Sequence, residues 1–89
     1  RSLSTIASID EGKAEVLELE IGAGSSLIGK ALKDASFPRG CVVAAITRED
    51  GSVVIPRGDD EFRSQDQMVL FVLHEVVDAV LALVGVERE

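Results

Sequence analysis

The run CVVAAIT, residues 41–47, decides the fold class. It is a continuous apolar stretch of strand length with β-branched residues, and such a run predicts a strand that is buried on both faces. A second run without a polar residue, MVLFVL at residues 68–73, predicts another buried strand. Two such strands need more cover than the two short helices of an 89-residue chain supply. The sequence therefore predicts that two copies of the chain pair as a homodimer.

The clearest amphipathic strand precedes the first run. AEVLELEI, residues 14–21, alternates apolar and acidic side chains with the period of two that a half-buried strand requires. Residues 22–24 break the pattern, and apolar residues then recur at i, i+3, i+4 and i+7 through residues 28–35. That spacing predicts a short amphipathic helix, which ends before Pro38. Residues 1–11 are interpreted as a connector from a preceding domain.

The second half of the chain predicts a hairpin, a loop and a terminal helix. Residues 48–51, REDG, form a turn signal, and residues 52–55 form a short return strand. A polar loop anchored by Phe62 leads to the second apolar run. The apolar spacing from Val76 predicts a helix closed by Gly85, with a strand as the alternative because the segment is rich in valine. The order β-α-β-β-β-α indicates a small α+β domain.

Charge and composition exclude several functions. Nine Lys and Arg against sixteen Asp and Glu give a net charge of -7, which repels the phosphates of nucleic acids. No apolar run reaches the roughly 18 residues that cross a bilayer, so we expect no direct membrane insertion. The single cysteine, Cys41, excludes an intramolecular disulfide and a multi-thiolate metal site, and its apolar strand predicts an inert thiol. These features predict a cytoplasmic location.

Residues 24–31, GSSLIGKA, match the G-x-x-x-x-G-K part of a phosphate-binding loop. The match fails at Ala31, where such loops place a hydroxyl that holds magnesium. Leu27 and Ile28 also resemble core residues more than the bare backbone of a phosphate cradle. We therefore interpret the segment as the entry to a helix and expect Lys30 at the surface, with no binding of ATP.

No residue pattern supports an enzyme or a metal site. The only histidine, His74, lies between a buried strand and a helix, where a boundary role is the simpler interpretation. The acidic residues 59–61 and Asp66 miss the spacing of a calcium loop, so they predict a solvated turn.

The segments AEVLELEI, SLIGKAL, FPRGCVVAAITRE and VVIPRGDDEFRSQDQMVLF together resemble the TrkA C-terminal domain, the C-lobe of the regulator of potassium conductance module. The resemblance covers almost all of residues 12–84. The matching positions are Ser26, Gly29, Leu32, Pro38, Ala45, Ile46, Arg48, Pro56, Gly58, Asp59 and Asp66. Two positions depart from the family pattern: Ile28, and Gln65, where glycine is commoner.

This resemblance implies a cytoplasmic regulatory domain over residues 12–85, with residues 86–89 as a tail. Such lobes pair as dimers. They usually follow a Rossmann-like nucleotide-binding domain and act at the inner face of the membrane through a potassium channel or transporter. No cofactor is implied for this domain itself.

In some branches of the family a small anionic ligand, cyclic di-AMP, binds in the cleft between paired lobes. The resemblance implies that a ligand would lie where the end of one strand and the return strand meet their dimer mates. The implied ligand-binding residues are Ile46, Thr47, Arg48, Val54, Ile55 and Pro56. Arg48 would hold a phosphate through two parallel hydrogen bonds.

Two alternatives stay open. Arg48 could instead pair with Glu49 or Asp50 at an exposed hairpin. The whole domain could be a purely structural dimerisation lobe of another ion or carboxylate transporter, with sensing done by a separate nucleotide-binding domain.

Overall fold

The computed structural model describes residues 3–86, which contain five β-strands and one α-helix. These elements are β1 (Leu3–Ile9), β2 (Ala14–Glu20), β3 (Cys41–Thr47), β4 (Val53–Val54), β5 (Gln67–Leu73) and α1 (Val77–Val84). The strands form one sheet in the order β1-β2-β5-β3-β4, and every pair of neighbours is antiparallel. The last strand in sequence therefore lies at the centre of the sheet. The predicted α+β class is confirmed.

The hydrophobic core is formed by one face of the sheet, helix α1 and four residues between the strands, Ile21, Leu27, Ala35 and Phe62. The strand residues that are fully buried there are Leu17, Leu19, Ile46, Met68, Leu70 and Val72. Helix α1 contributes Val77, Val80, Leu81 and Val84 to the same cluster. Within β2 and β5 the buried residues are spaced by two, because successive side chains of a strand point to opposite faces.

Helix α1 ends where the sequence predicts. Gly85 adopts a φ of +90°, and the backbone N–H groups of Gly85 and Val86 both donate to the Leu81 carbonyl at 2.9 Å. A left-handed glycine of this kind satisfies the last carbonyls of a helix. The helix is preceded by a 3-10 turn over His74–Val76, so the alternative of a strand from Val76 is wrong.

The other face of the sheet is uncovered. Val42 and Phe71 lie opposite each other on β3 and β5 and are 59 % and 49 % exposed. Val16 pairs with Phe71 on the same face, and Leu73 and Ile9 lie exposed near its edge. We call these five residues the open face.

The prediction that residues 41–47 and 68–73 are buried on both faces is wrong for the single chain. Phe71 and Leu73 of β5 and Val42 of β3 are exposed, because helix α1 covers only one side of the sheet. The unbroken apolar runs indicate that β3 and β5 carry apolar side chains on both faces, and they do not require both faces to be covered within one copy.

The predicted helix over residues 28–35 is also wrong. Gly29 has a φ of +86°, and its N–H donates to the Phe62 carbonyl at 2.9 Å. The Phe62 N–H in turn donates to the Lys30 carbonyl at 3.0 Å. Backbone groups that a helix would pair internally are thus paired with the loop before β5. Only a three-residue 3-10 turn, Leu32–Asp34, remains of the predicted helix.

Residues 3–9 of the predicted connector form β1, which pairs with β2 through a tight turn. Asp10, Glu11 and Gly12 all have positive φ in that turn. An irregularity in the pairing between Thr5 and Ala7 breaks the alternation, so the sequence of β1 lacks a clean period of two. Residues 1 and 2 of the connector and 87–89 of the predicted tail lie outside the described residues. The domain boundaries stay a prediction.

Candidate functional site

The candidate site lies at the end of β3, where the chain turns into β4. The Arg48 N–H donates to the Ser52 carbonyl at 2.8 Å, and Gly51 turns with a φ of +89°. The Asp50 carboxylate accepts hydrogen bonds from Ser52 Oγ at 2.7 Å and from the Ser52 N–H at 2.9 Å. These two bonds, and to a smaller degree the charges of Arg63 and Arg48, lower the pKa of Asp50.

Of the six ligand-binding residues implied by the resemblance, Ile46, Thr47 and Val54 lie on strands, and these three divide between the two faces of the sheet. Ile46 pairs with Val54 and is buried in the core, whereas Thr47 pairs with Val53 on the opposite face. Ile55 is 71 % exposed, and Thr47, Val54 and Pro56 are partly buried. Because Thr47 and Val54 lie on opposite faces, a ligand on one face of the sheet meets only one of these two residues, and it reaches Ile46 only by displacing core residues. Their role in binding stays a prediction.

Arg48 is held in a buried ion pair. Its Nη1 atom lies 2.6 Å from Asp66 Oδ2 and also donates to the Glu61 carbonyl at 3.0 Å. Arg48 is 9 % exposed and Asp66 is fully buried. The alternative that Arg48 pairs with Glu49 or Asp50 is therefore wrong: within residues 3–86 its salt bridge is to Asp66.

Asp66 connects several segments around this ion pair. Its Oδ2 atom also accepts a hydrogen bond from the Arg63 N–H at 2.9 Å. Its backbone carbonyl accepts from the Ile21 N–H at 2.9 Å, so the loop before β5 is fixed to the end of β2. The other carboxylate oxygen, Oδ1, is buried and has no hydrogen-bond partner among the described residues. Asp66 thus holds the ends of β2, β3 and β5 together, through its side chain at β3 and its backbone carbonyl at β2.

The sequence reasoning missed this role, because Asp66 was grouped with the acidic loop as part of a solvated turn. The signal was present in the strand period. Asp66 precedes Met68 by two residues and Arg48 follows Ile46 by two, so both charged side chains continue a buried row. Opposite charges that continue two neighbouring buried rows predict an ion pair.

A surface cavity of about 360 Å³ lies beside the ion pair. It is lined by Arg48, Glu49, Asp50, Arg63, Ser64 and Asp66. A second cavity, of about 270 Å³, lies near His74 and the turn before β2. There His74 Nδ1 is 3.4 Å from Glu15 Oε2, and the His74 side chain is largely exposed. This histidine occupies the boundary between β5 and the following turn, as predicted.

The other candidate residues have structural surroundings. Lys30 is exposed, as predicted, although it does not lie on a helix. In the acidic loop, Asp59 pairs with Lys33 at 2.8 Å and Asp60 accepts from the Arg57 N–H at 2.7 Å. Burial raises the pKa of the Cys41 thiol to about 11, which favours the neutral thiol.

Two further findings concern residues 3–86 alone. No three His, Cys, Asp or Glu side chains in this range come together in a group that could hold a metal ion. In the same range no helix has the length and apolar character needed to span a membrane.

Comparison with known families decides where the chain belongs. The model of the TrkA-C domain matches residues 16–85, from β2 to the residue that ends α1. The chain belongs to the TrkA-C domain family. The matched residues run from within β2 to Gly85, and β1 pairs with the edge of β2 outside the matched range.

Curated relatives include longer proteins that are named as potassium uptake proteins. The "Trk system potassium uptake protein TrkA homolog 2" of Methanosarcina mazei is 32 % identical over 80 residues, which is 90 % of this chain and 18 % of that protein. The "Trk system potassium uptake protein TrkA homolog" of Archaeoglobus fulgidus is 34 % identical over the same shares of the two chains. The "Trk system potassium uptake protein TrkA" of Azorhizobium caulinodans is 34 % identical over 94 % of this chain and 18 % of its own length. This TrkA-C domain thus spans less than a fifth of these three relatives.

Proposed function

We propose that this TrkA-C domain regulates a potassium uptake or channel system as a non-catalytic, ligand-sensing dimerisation domain. The observation that carries the proposal is the family match over residues 16–85, together with relatives that are named as potassium uptake proteins. The domain works in the cytoplasm, at the inner face of the membrane. It reaches the membrane through its partners, an N-terminal Rossmann-like nucleotide-binding domain and a potassium channel or transporter.

The homodimer forms through the open face. Its central row, Val16, Phe71 and Val42, runs across three neighbouring strands and carries no charge. Apolar side chains on a row of this kind gain free energy when a partner removes them from water, by about 25 cal/mol for each Å² buried. Two copies related by a two-fold axis bring the same face together, and this is the commonest closed arrangement of soluble proteins.

The ligand is a small anion of the cyclic di-AMP class, and its cleft includes the exposed residues of the β3–β4 hairpin. Ile55 and Pro56 offer an apolar wall beside the turn, and Thr47 lies on the neighbouring strand. A ligand that binds between two copies stabilises the paired state that it contacts. Binding at this point therefore shifts the arrangement of the two lobes.

One observation favours the second candidate, a purely structural dimerisation lobe of an ion or carboxylate transporter. Arg48, the cation that the resemblance assigns to the ligand, is already engaged by Asp66 and by the Glu61 carbonyl. A domain without an available cation at this point would have no positive charge to hold an anionic ligand. Such a domain would transmit a signal that another domain senses.

A thermal unfolding titration separates the two candidates. The full 89-residue chain is heated with increasing cyclic di-AMP, and with AMP as the control ligand. A ligand that binds only the folded state at a hundred times its Kd adds about 2.7 kcal/mol to the free energy of unfolding. A rise in Tm with cyclic di-AMP alone supports ligand sensing. An unchanged Tm at millimolar cyclic di-AMP contradicts sensing of this ligand and supports the structural lobe.

A further inference from the structure

The guanidinium of Arg48 is poorly placed to receive a ligand. To bind a phosphate through Nη1, Arg48 would have to release Asp66 Oδ2 at 2.6 Å and the Glu61 carbonyl at 3.0 Å. Release would leave the fully buried Asp66 carboxylate without its counter-charge, which is strongly destabilising. The freed carboxylate would also repel the incoming anion. The charge of Arg48 is therefore already offset by Asp66, which weakens its attraction for a further anion.

A second arginine lines the same cavity and is available. Arg63 is exposed, and within residues 3–86 its side chain makes no hydrogen bond or salt bridge. Its backbone is fixed nevertheless, because the Arg63 N–H donates to Asp66 Oδ2 at 2.9 Å. The neighbouring Ser64 also lines the cavity, and its hydroxyl has no partner in the described part of the chain. The buried ion pair thus anchors the backbone from which the Arg63 side chain extends.

Of the three carboxylates around the cavity, only Asp66 is neutralised, by Arg48. Asp50 accepts two hydrogen bonds from Ser52 and keeps its negative charge. Glu49 and Asp50 are thus exposed carboxylates at the rim, and an anion must approach on the side of Arg63. The donors left for a ligand are the guanidinium of Arg63 and the hydroxyl of Ser64, and both suit the oxygens of a phosphate or carboxylate group.

We infer that Arg63, with Ser64, forms an oxyanion subsite in the cavity beside the Arg48–Asp66 pair, and that this subsite takes a phosphate or carboxylate group of the regulatory ligand. The inference rests on the proposed ligand-sensing function. It reassigns the cationic contact from Arg48 to Arg63. It also gives Asp66 a positioning role, since Asp66 holds the backbone of the residue that meets the anion.

The chain provides a matched control for the test. Arg57 is also exposed and lies in the same loop, and its N–H also donates to an aspartate three residues later, Asp60. Arg57 is not among the residues that line the cavity. Arg63→Gln and Arg57→Gln therefore remove the same charge from equivalent local structures, and only the first removes it from the proposed subsite.

The experiment titrates the wild-type chain and both variants with cyclic di-AMP and, separately, with inorganic pyrophosphate. Binding is measured by calorimetry, and amide NMR shifts locate the contact. We expect Arg63→Gln to weaken binding by about tenfold or more, as the loss of a charge-assisted hydrogen bond implies, and Arg57→Gln to leave it near the wild-type value. Arg63→Lys should restore part of the affinity, and unchanged Tm values would show that the variants fold.

The two probes separate failure of the subsite from failure of the proposed function. Pyrophosphate that shifts the amides of residues 63 and 64 in an Arg63-dependent way, without binding of cyclic di-AMP, supports the subsite and contradicts the cyclic dinucleotide as the ligand. Cyclic di-AMP that binds equally well to wild-type and Arg63→Gln overturns the subsite and leaves ligand sensing intact. An absence of binding by both probes overturns both proposals.

Discussion

Arg48 Nη1 lies 2.6 Å from Asp66 Oδ2, and this ion pair joins the end of β3 to the start of β5 across 18 residues of sequence. The same guanidinium nitrogen donates to the Glu61 carbonyl, so the loop before β5 is tied to the sheet as well. The loop also pairs with the segment that follows β2. The geometry of the cavity and of the β3–β4 turn therefore depends on a largely buried pair of charges.

Replacing one partner of this ion pair should destabilise the fold strongly. We expect Asp66→Asn to lower the free energy of unfolding by about 3 kcal/mol, because it leaves the Arg48 charge buried without compensation. The matched control is Asp59→Asn, which breaks the exposed Lys33–Asp59 pair and should cost about 1 kcal/mol or less. Urea unfolding of the three chains measures both effects. Equal stabilities of the two variants would contradict a structural role for the buried pair.

The thiol of Cys41 should resist alkylation until strongly alkaline pH. Burial raises its pKa from 9.0 to about 11, so the neutral thiol is favoured in the folded state. The unfolded chain loses that proton at a lower pH, and the contribution of Cys41 to stability is therefore present below about pH 9 and is lost as the pH rises toward 11.

Iodoacetamide labelling followed by mass spectrometry checks this expectation. The native chain should react slowly at pH 9 and the chain in guanidinium chloride should react fast. Equal rates in the two conditions would contradict the burial of the thiol.

Gln65 occupies a backbone conformation that glycine adopts without strain. Its φ is +68°, and a non-glycine residue pays about 1–2 kcal/mol in this region. Since glycine also loses about 0.5–1 kcal/mol more backbone entropy on folding, we expect Gln65→Gly to be neutral or stabilising by about 1 kcal/mol. The control Gln67→Gly, within β5, should destabilise the chain. Denaturant unfolding compares the two, and a clear loss of stability in Gln65→Gly would show that the turn does not carry this strain.

The core strands and the terminal helix could be predicted from the sequence because each has one dominant pattern. The alternation of AEVLELEI and the apolar runs at 41–47 and 68–73 define β2, β3 and β5, and the spacing of Val77, Val80 and Val84 defines α1. These patterns reflect burial against one core, which is the strongest local signal in a sequence.

The segment around Gly29 could not be predicted from its apolar spacing. Four apolar positions with helical spacing, over residues 28–35, are too few to exclude other structures. The hydrogen bonds that decide the structure of this segment come from residues 58–62, far away in sequence. The sequence reasoning also missed strand β1. Its pairing with β2 is irregular between Thr5 and Ala7, so its sequence lacks a clean period of two.

The candidate site was only partly predictable. Its location at the β3–β4 hairpin came from the family resemblance, whereas the pairing of Arg48 with Asp66 depends on the neighbouring positions of β3 and β5 in the sheet. Arg63 carries no pattern of its own. Arg63 becomes the proposed cationic contact only because Arg48 is paired with Asp66, and the sequence does not display that pairing.

Phe71 should control the association of two copies. It lies at the centre of the open face and is opposite both Val16 and Val42. Phe71→Glu places a charge where two copies would meet, and we expect it to yield a folded monomer. Ile28→Glu is the control, because Ile28 is also an exposed apolar residue but lies outside the five strands of the sheet.

The molar mass of the chain in solution tests the central claim most directly, since the regulatory role proposed for this domain depends on paired lobes. Light scattering at micromolar concentration should give about 19 kDa for the wild-type chain and for Ile28→Glu, twice the 9.5 kDa of one copy, and a monomer for Phe71→Glu. A single species of 9.5 kDa for the wild-type chain, or a dimer that Phe71→Glu leaves intact, would contradict pairing through the open face.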